Sequence, residues 1–119
     1  MTSKERHLEL LKEFEHGAKR HFEEEEFISS AVDAFDAAVQ AIEALLATLN
    51  LHPRVHAQRE AFMGTSGLFT QEIIELHDKI YRLADRGLRY GEVHDGGRAK
   101  EALKWMERII AYCLERLSK

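Results

Sequence analysis

The stretch FISSAVDAFDAAVQAIEALLATL at residues 27–49 decides the fold class of this chain. Its apolar residues recur at steps of three and four, which is the period of an α-helix. One stripe runs from Phe35 to Leu46, and a second, mostly of alanine, runs from Ala31 to Leu45. A helix that is apolar on more than one side is buried among other helices, and small residues allow a neighbour to approach closely. This segment is therefore predicted to be the central helix of a helical bundle.

The sequence on either side of this segment predicts further amphipathic helices. The acidic run from Glu23 to Glu26 marks a helix junction or the first turn of the next helix, where carboxylates suit the helix dipole. Pro53 interrupts the chain after the central helix but is tolerated in a first helical turn. Gly91 is expected to end a helix, and Asp95 is expected to cap the next one. The predicted helices cover residues 3–22, 27–49, 54–63, 68–90 and 98–117, with a loop at 64–67.

Length and composition favour a single all-α domain spanning residues 1–119. Of the 119 residues, 45% are hydrophobic and 32% charged, and only 7 Gly and 1 Pro punctuate the chain, too few for a many-turned β-sandwich or barrel. The apolar content excludes disorder, and the lone Cys113 cannot form an internal disulfide. Neither a signal peptide nor a membrane span is visible, so a cytoplasmic protein is expected.

Charge is distributed unevenly along the chain. The net charge of -4 argues against nucleic acid as a default partner, but residues 1–49 carry -6 while residues 82–119 carry +3. An anionic ligand is therefore expected near the C-terminal third.

The last predicted helix is apolar on two sides, since Trp105, Ile109 and Tyr112 add a second stripe to the first. A second copy of the chain could cover this stripe, or the bundle itself could wrap both sides. The sequence leaves both interpretations open.

The seven histidines do not have the spacing of a metal site. His16 and His21 are five apart and point to different sides of a helix, and Pro53 separates His52 from His56. The Glu-x-x-His pattern of metal-binding four-helix bundles is missing from the segment that holds Glu72, Glu75 and His77. The sequence therefore predicts no metal and no other cofactor.

A basic stripe is the clearest functional feature. At 100° per residue, Arg82, Arg86 and Arg89 share one side of the fourth predicted helix. Asp78 and Asp85 stand four residues before Arg82 and Arg89, which predicts ion pairs for those two arginines and a salt-bridged solvent face. Arg86 has no such neighbour, so its charge is available for a phosphate or for an acid elsewhere in the fold.

Arg89 and His94 form the candidate catalytic pair. In a continuous helix they would diverge by about 140°, so they face one ligand only if the helix ends near Gly91 and the loop turns back. An arginine for phosphate charge beside a histidine that titrates near neutral pH is the minimal apparatus for metal-free RNA cleavage through the 2′-hydroxyl. The alternative to a catalytic role is that His94 is a structural or surface residue.

The sequence resembles the HEPN (higher eukaryotes and prokaryotes nucleotide-binding) family, in its short prokaryotic form. The resemblance covers most of the chain, in EFISSAVDAFDAAVQAIEALL, HPRVH and LHDKIYRLADRGLRYGEV. It implies a four- to five-helix up-and-down bundle that forms a homodimer. Many such proteins are encoded beside a minimal nucleotidyltransferase as a toxin–antitoxin pair. Active members are metal-independent endoribonucleases with an Arg and a His, separated by about four to six residues, gathered across the dimer interface.

The resemblance implies roles for particular residues. Arg89 would position and neutralise the scissile phosphate, and His94 would donate or accept the proton. Arg86 followed by Tyr90 matches another recurrent pattern of this branch, an arginine followed four residues later by an aromatic residue, and which pair is functional stays open. The expected function is binding of RNA or a nucleotide. In the strong form of this hypothesis the protein also cleaves RNA. The alternative is a non-catalytic helical module that binds protein or nucleotide.

Overall fold

Helices form every regular element in the part of the chain that the computed structural model describes, residues 2–93 and 95–119, and no strand occurs there. The all-α prediction is confirmed. The five helices are α1 (Ser3–Glu23), α2 (Phe27–Ala47), α3 (His56–Thr65), α4 (Gln71–Tyr90) and α5 (Gly96–Leu117).

Side-chain caps explain where the helices begin. Thr2 and Glu5 form a reciprocal capping box at the start of α1. Thr70 accepts from the backbone N–H of Ile73 at 3.4 Å, so α4 begins at Gln71 and not at residue 68 as predicted. Asp95 accepts from the backbone N–H of Arg98 at 3.1 Å, which confirms its predicted role as the cap of α5, and the helix therefore begins at Gly96 and not at residue 98 as predicted.

Two further predicted boundaries differ from the structure around Pro53. The central helix ends at Ala47 and not at residue 49, and Asn50 has a left-handed φ of 58° in the turn that follows. Helix α3 begins at His56 and not at residue 54, so Pro53 lies ahead of its first turn. Helix α3 also continues through Gly64 to Thr65, whereas a loop is predicted at 64–67, because the backbone N–H of Ser66 still bonds the carbonyl of Phe62 at 2.9 Å.

The central helix is α2, as predicted, and it packs against each of the other four helices. All of its alanines except Ala47 are fully buried, which brings the neighbouring backbones close. Ser30 is buried too, and its hydroxyl donates to the carbonyl of Ala18 in α1 at 2.7 Å, so its polar group has a partner. The buried residues of α2 are Ser30, Ala31, Ala34, Ala37, Ala38, Val39, Ala41, Ile42, Ala44, Leu45 and Leu46.

Helix α5 buries both of its apolar stripes within the same chain. Ile109 is fully buried, Tyr112 is 9% exposed, and Trp105 packs half-buried against the core. The Tyr112 hydroxyl donates to the carbonyl of Leu68 at 2.7 Å. Most of the second stripe of α5 is therefore buried within the chain, and Trp105 stays partly exposed.

The chain turns back sharply after α4. Gly91 ends the helix with a φ of 64°, a left-handed conformation that favours glycine, and its N–H bonds the carbonyl of Gly87 at 3.1 Å. Val93 is then fully buried, and a Cβ on Gly87 would lie 3.0 Å from its side chain. The predicted end of the helix near Gly91 is confirmed, and Gly87 supplies the space that the returning segment occupies.

The overall dimensions are those of a compact globule. The radius of gyration is 13.6 Å, close to the roughly 13.5 Å expected for a folded chain of this length. None of the helices in residues 2–93 and 95–119 is long and apolar enough to cross a membrane.

Candidate functional site

The basic stripe lies on the exposed side of α4. The Nε atom of Arg82 contacts a carboxylate oxygen of Asp78 at 3.1 Å, and the Nε atom of Arg89 donates to Asp85 at 2.8 Å. Both predicted ion pairs are confirmed. The hydrogen bond that Arg89 donates to Asp85 raises the pKa of the Arg89 guanidinium, which therefore stays charged. Because all four side chains are substantially exposed, each pair contributes little to stability and is easily exchanged for another anion.

Arg86 and Tyr90 complete this face. The Arg86 side chain is exposed and forms no ion pair with any residue in 2–93 or 95–119, as its spacing predicts. Tyr90 follows one turn later and is 70% exposed, an unusual environment for a ring of that size. We call the four side chains Arg82, Arg86, Arg89 and Tyr90 the arginine face.

His94, the other half of the candidate catalytic pair, lies outside the described residues. The structure therefore gives no distance between His94 and Arg89. Its neighbours in sequence are the buried Val93 and the helix cap Asp95.

A second polar cluster lies between α3 and α4, centred on His56. The Nη1 atom of Arg59 lies 3.0 Å from Nδ1 of His56, and Nε2 of His56 lies 2.5 Å from a carboxylate oxygen of Glu60. Arginine is always a donor, so Nδ1 accepts, and the ring proton sits on Nε2 and is donated to Glu60. Arg59 also donates from Nε to Glu43 of α2 at 3.1 Å, which anchors the network to the central helix.

His77 of α4 faces this cluster from the other side. It is 1% exposed, and no residue in the described ranges offers a hydrogen-bond partner to its Nε2 atom. Burial, with Arg59 and His56 nearby, lowers the pKa of His77 to about 3, so the ring is neutral at ordinary pH. A buried ring nitrogen without a partner is costly, and such groups in a native fold call for an explanation.

Three of these side chains converge. One donor atom each from His56, Glu60 and His77 lie within 4.8 Å of one another, and the two imidazole rings are nearly parallel with centroids 5.0 Å apart. Tyr81, one turn after His77, stacks on His56 at 3.8 Å. A cavity of about 420 Å³ adjoins the cluster and is lined by both Glu60 and His77.

Sequence reasoning missed this cluster. His56 was compared only with His52, from which Pro53 separates it, and His52 contacts Asn50 ahead of the helix. The available signal was the spacing of four between His56 and Glu60, which places both on one side of α3. Nothing in the sequence connects either of them with His77, which comes from another helix.

No protein-family model matches this chain, and no curated protein matches it either.

Proposed function

We propose that this chain is a HEPN-like protein that binds RNA or a nucleotide through the arginine face of α4. In this proposal it acts as a homodimer beside a minimal nucleotidyltransferase. Cleavage of RNA by Arg89 and His94, without a metal, is the strong form of the proposal. The observation that carries it is Arg86, an exposed guanidinium without an ion pair among the described residues, set between two more arginines on one side of a helix.

The composition of the arginine face favours a phosphate-bearing ligand. A guanidinium presents two parallel N–H donors that match two phosphate oxygens, and Arg86 can do so without first giving up a carboxylate. Arg82 and Arg89 hold exposed carboxylates that a phosphate could displace at little cost. The three positions span two helical turns, so they follow a backbone with several phosphates better than a single one.

Tyr90 favours a nucleic-acid ligand over inorganic phosphate. Its exposed ring stands one turn beyond Arg86 on the same side of α4. Proteins that bind single-stranded RNA stack bases on exposed aromatic rings and hold the backbone with arginine and lysine. A guanidinium beside an exposed ring therefore matches a nucleotide with its phosphate.

The binding proposal is tested with a fluorescently labelled single-stranded RNA and fluorescence anisotropy. Arg86→Ala should weaken binding at least tenfold and should lower the salt dependence of the affinity, because one phosphate contact is lost. Lys12→Ala is the matched control, because it removes one exposed cation from α1, a helix that does not pack against α4. Equal effects of the two substitutions would mean that only net charge matters and would contradict a site on α4.

The cleavage proposal needs a separate assay. Purified protein incubated with RNA should cleave it equally with and without a chelator, and His94→Ala should abolish the cleavage. Intact RNA at high protein concentration, together with binding that depends on Arg86, would refute the nuclease and leave the alternative, a non-catalytic nucleotide-binding module. Light scattering tests the homodimer, and an adjacent reading frame encoding a small nucleotidyltransferase would support the proposed pair.

A further inference from the structure

We propose that His56, Glu60 and His77 bind a divalent transition-metal ion of the Zn²⁺ type between α3 and α4. This inference goes beyond the proposed function and uses none of the residues of the arginine face. It contradicts the expectation from histidine spacing that the chain has no metal site.

The spacing of the three side chains is close to what Zn²⁺ requires. With Zn–N bonds of about 2.0–2.1 Å and a tetrahedral angle, two bound imidazoles have centroids roughly 5 Å apart. The rings of His56 and His77 have centroids 5.0 Å apart but are stacked at 13° to each other, so one ring must rotate before both can direct a nitrogen lone pair at one ion. Donor atoms around such an ion are separated by about 3.3 Å, and the three donors here lie within 4.8 Å of one another. Side-chain rotations that bring the donors up to about 1.5 Å closer would complete the coordination.

His77 provides an independent reason to expect a ligand. Its Nε2 atom is buried beside the cluster and has no hydrogen-bond partner among the described residues. Metal coordination would satisfy a ring nitrogen that the protein otherwise leaves without a partner. The other histidine cluster, His21 with Glu24 and Glu26, has no such buried donor and is largely exposed. We therefore assign the site to α3 and α4 and not to the end of α1.

The hydrogen bonds of Arg59 would change when the ion binds. Coordination through Nε2 of His56 replaces the proton that this atom now shares with Glu60, so the ring proton moves to Nδ1. Nδ1 then no longer accepts from Arg59, which keeps its bond to Glu43. The positive charge of Arg59 opposes the ion, so this residue should limit the affinity of the site.

The donor set also indicates the class of ion and its environment. Two imidazoles and one carboxylate suit Zn²⁺ and its neighbours better than Mg²⁺ or Ca²⁺, which prefer oxygen ligands alone. Three protein ligands leave a fourth position for water, as in catalytic zinc sites. A cavity of about 420 Å³, lined by Glu60 and His77 together with Met63 and Ile74, lies beside these ligands.

Isothermal titration of the untagged, chelator-treated chain with ZnCl₂ tests the proposal. We expect one ion per chain, and Co²⁺ in its place should give the visible absorption of a tetrahedral site. Glu60→Gln keeps a hydrogen-bond acceptor for His56 but removes a metal ligand. Loss of an outer-shell partner alone weakens metal binding by roughly 10–100-fold, so this substitution should weaken Zn²⁺ binding by at least that much. His77→Phe should abolish binding, with circular dichroism to confirm that the variant is folded.

Two further variants make the result specific. His21→Ala removes the exposed cluster and should leave the affinity unchanged. Arg59→Gln removes the opposing charge and supplies an amide oxygen that can accept the Nδ1 proton of His56, so it should tighten binding by about tenfold. The proposal is overturned if the wild-type chain binds no Zn²⁺, if His21→Ala abolishes binding, or if Glu60→Gln leaves it unchanged. Because no RNA is used, failure here is distinguishable from failure of the proposed function.

Discussion

The Asp36 carboxylate on α2 provides a sharp test of the electrostatics of the bundle. Asp36 is half-buried, and this burial, followed by repulsion from Asp33 one turn earlier, raises its pKa from 3.8 to about 6. The attraction of Arg59 opposes the rise but does not cancel it. Asp36 is therefore charged near neutral pH in a place that disfavours its charge, and Asp36→Asn should stabilise the fold there.

The expected magnitude follows from the pKa change on folding. A pKa that is about two pH units higher in the folded chain, at roughly 1.4 kcal/mol per unit, corresponds to about 3 kcal/mol. Solvent screening of a half-buried group reduces this to about 1–2 kcal/mol. The unfolded chain binds fewer protons at Asp36 than the folded chain between pH 3.8 and about 6, so the contribution of Asp36 to stability falls as pH rises through that window. The gain from Asp36→Asn should be small at pH 4, grow up to about pH 6 and stay constant above it.

Urea unfolding followed by circular dichroism at pH 4, 5, 6 and 7.5 measures this gain. Glu13→Gln is the matched control, because it removes one negative charge from an exposed position of α1 and should change stability by less than about 0.5 kcal/mol. The reasoning is refuted if Asp36→Asn is no more stable than the wild type at pH 7.5. It is refuted equally if its gain is the same at pH 4 as at pH 7.5.

Three further stability predictions use the same unfolding assay. Gly91→Ala should destabilise the fold by about 1 kcal/mol because Gly91 has a φ of 64°. Gly64→Ala should stabilise it by a similar amount because Gly64 lies inside α3 with nothing within 4 Å of an added Cβ. Effects of the same sign for the two substitutions would contradict this reasoning. Tyr112→Phe should cost about 1–3 kcal/mol because the carbonyl of Leu68 loses its donor, and a neutral effect would show that water replaces the hydroxyl. Ile42→Ala should cost about 2–5 kcal/mol because Ile42 is fully buried in the central helix, and a loss below 1 kcal/mol would mean that the core closes the cavity.

Features that depend on neighbours within a few residues were predictable from the sequence. The burial of α2 followed from its two apolar stripes. The C-terminal end of α4 followed from Gly91, and the N-terminal cap of α5 followed from Asp95. The pairing of Arg82 and Arg89 with acids four residues earlier was likewise predictable, and so was the lack of such a partner for Arg86. In each case the period of the helix converts spacing along the chain directly into proximity in space.

Helix starts near the loops were less predictable because tertiary contacts compete with local signals. Leu68 and Phe69 continue the apolar pattern of α4 but lie ahead of its cap, packed against the core. The Leu68 carbonyl is held by Tyr112 of α5, a residue 44 positions away. A contact of that kind has no signature in the spacing of nearby residues.

The sequence by itself therefore determined that this chain is helical, which segment is central, and that three arginines share one side of α4, with no acid four residues before Arg86. The tertiary structure alone decided that both sides of α5 are covered within one chain and that His77 is buried against His56 and Glu60. The physical reason is that helical periodicity relates residues three and four apart, whereas the packing of α3 against α4 depends on how all the helices fill space around α2. A local pattern cannot encode the meeting of two histidines 21 residues apart on different helices.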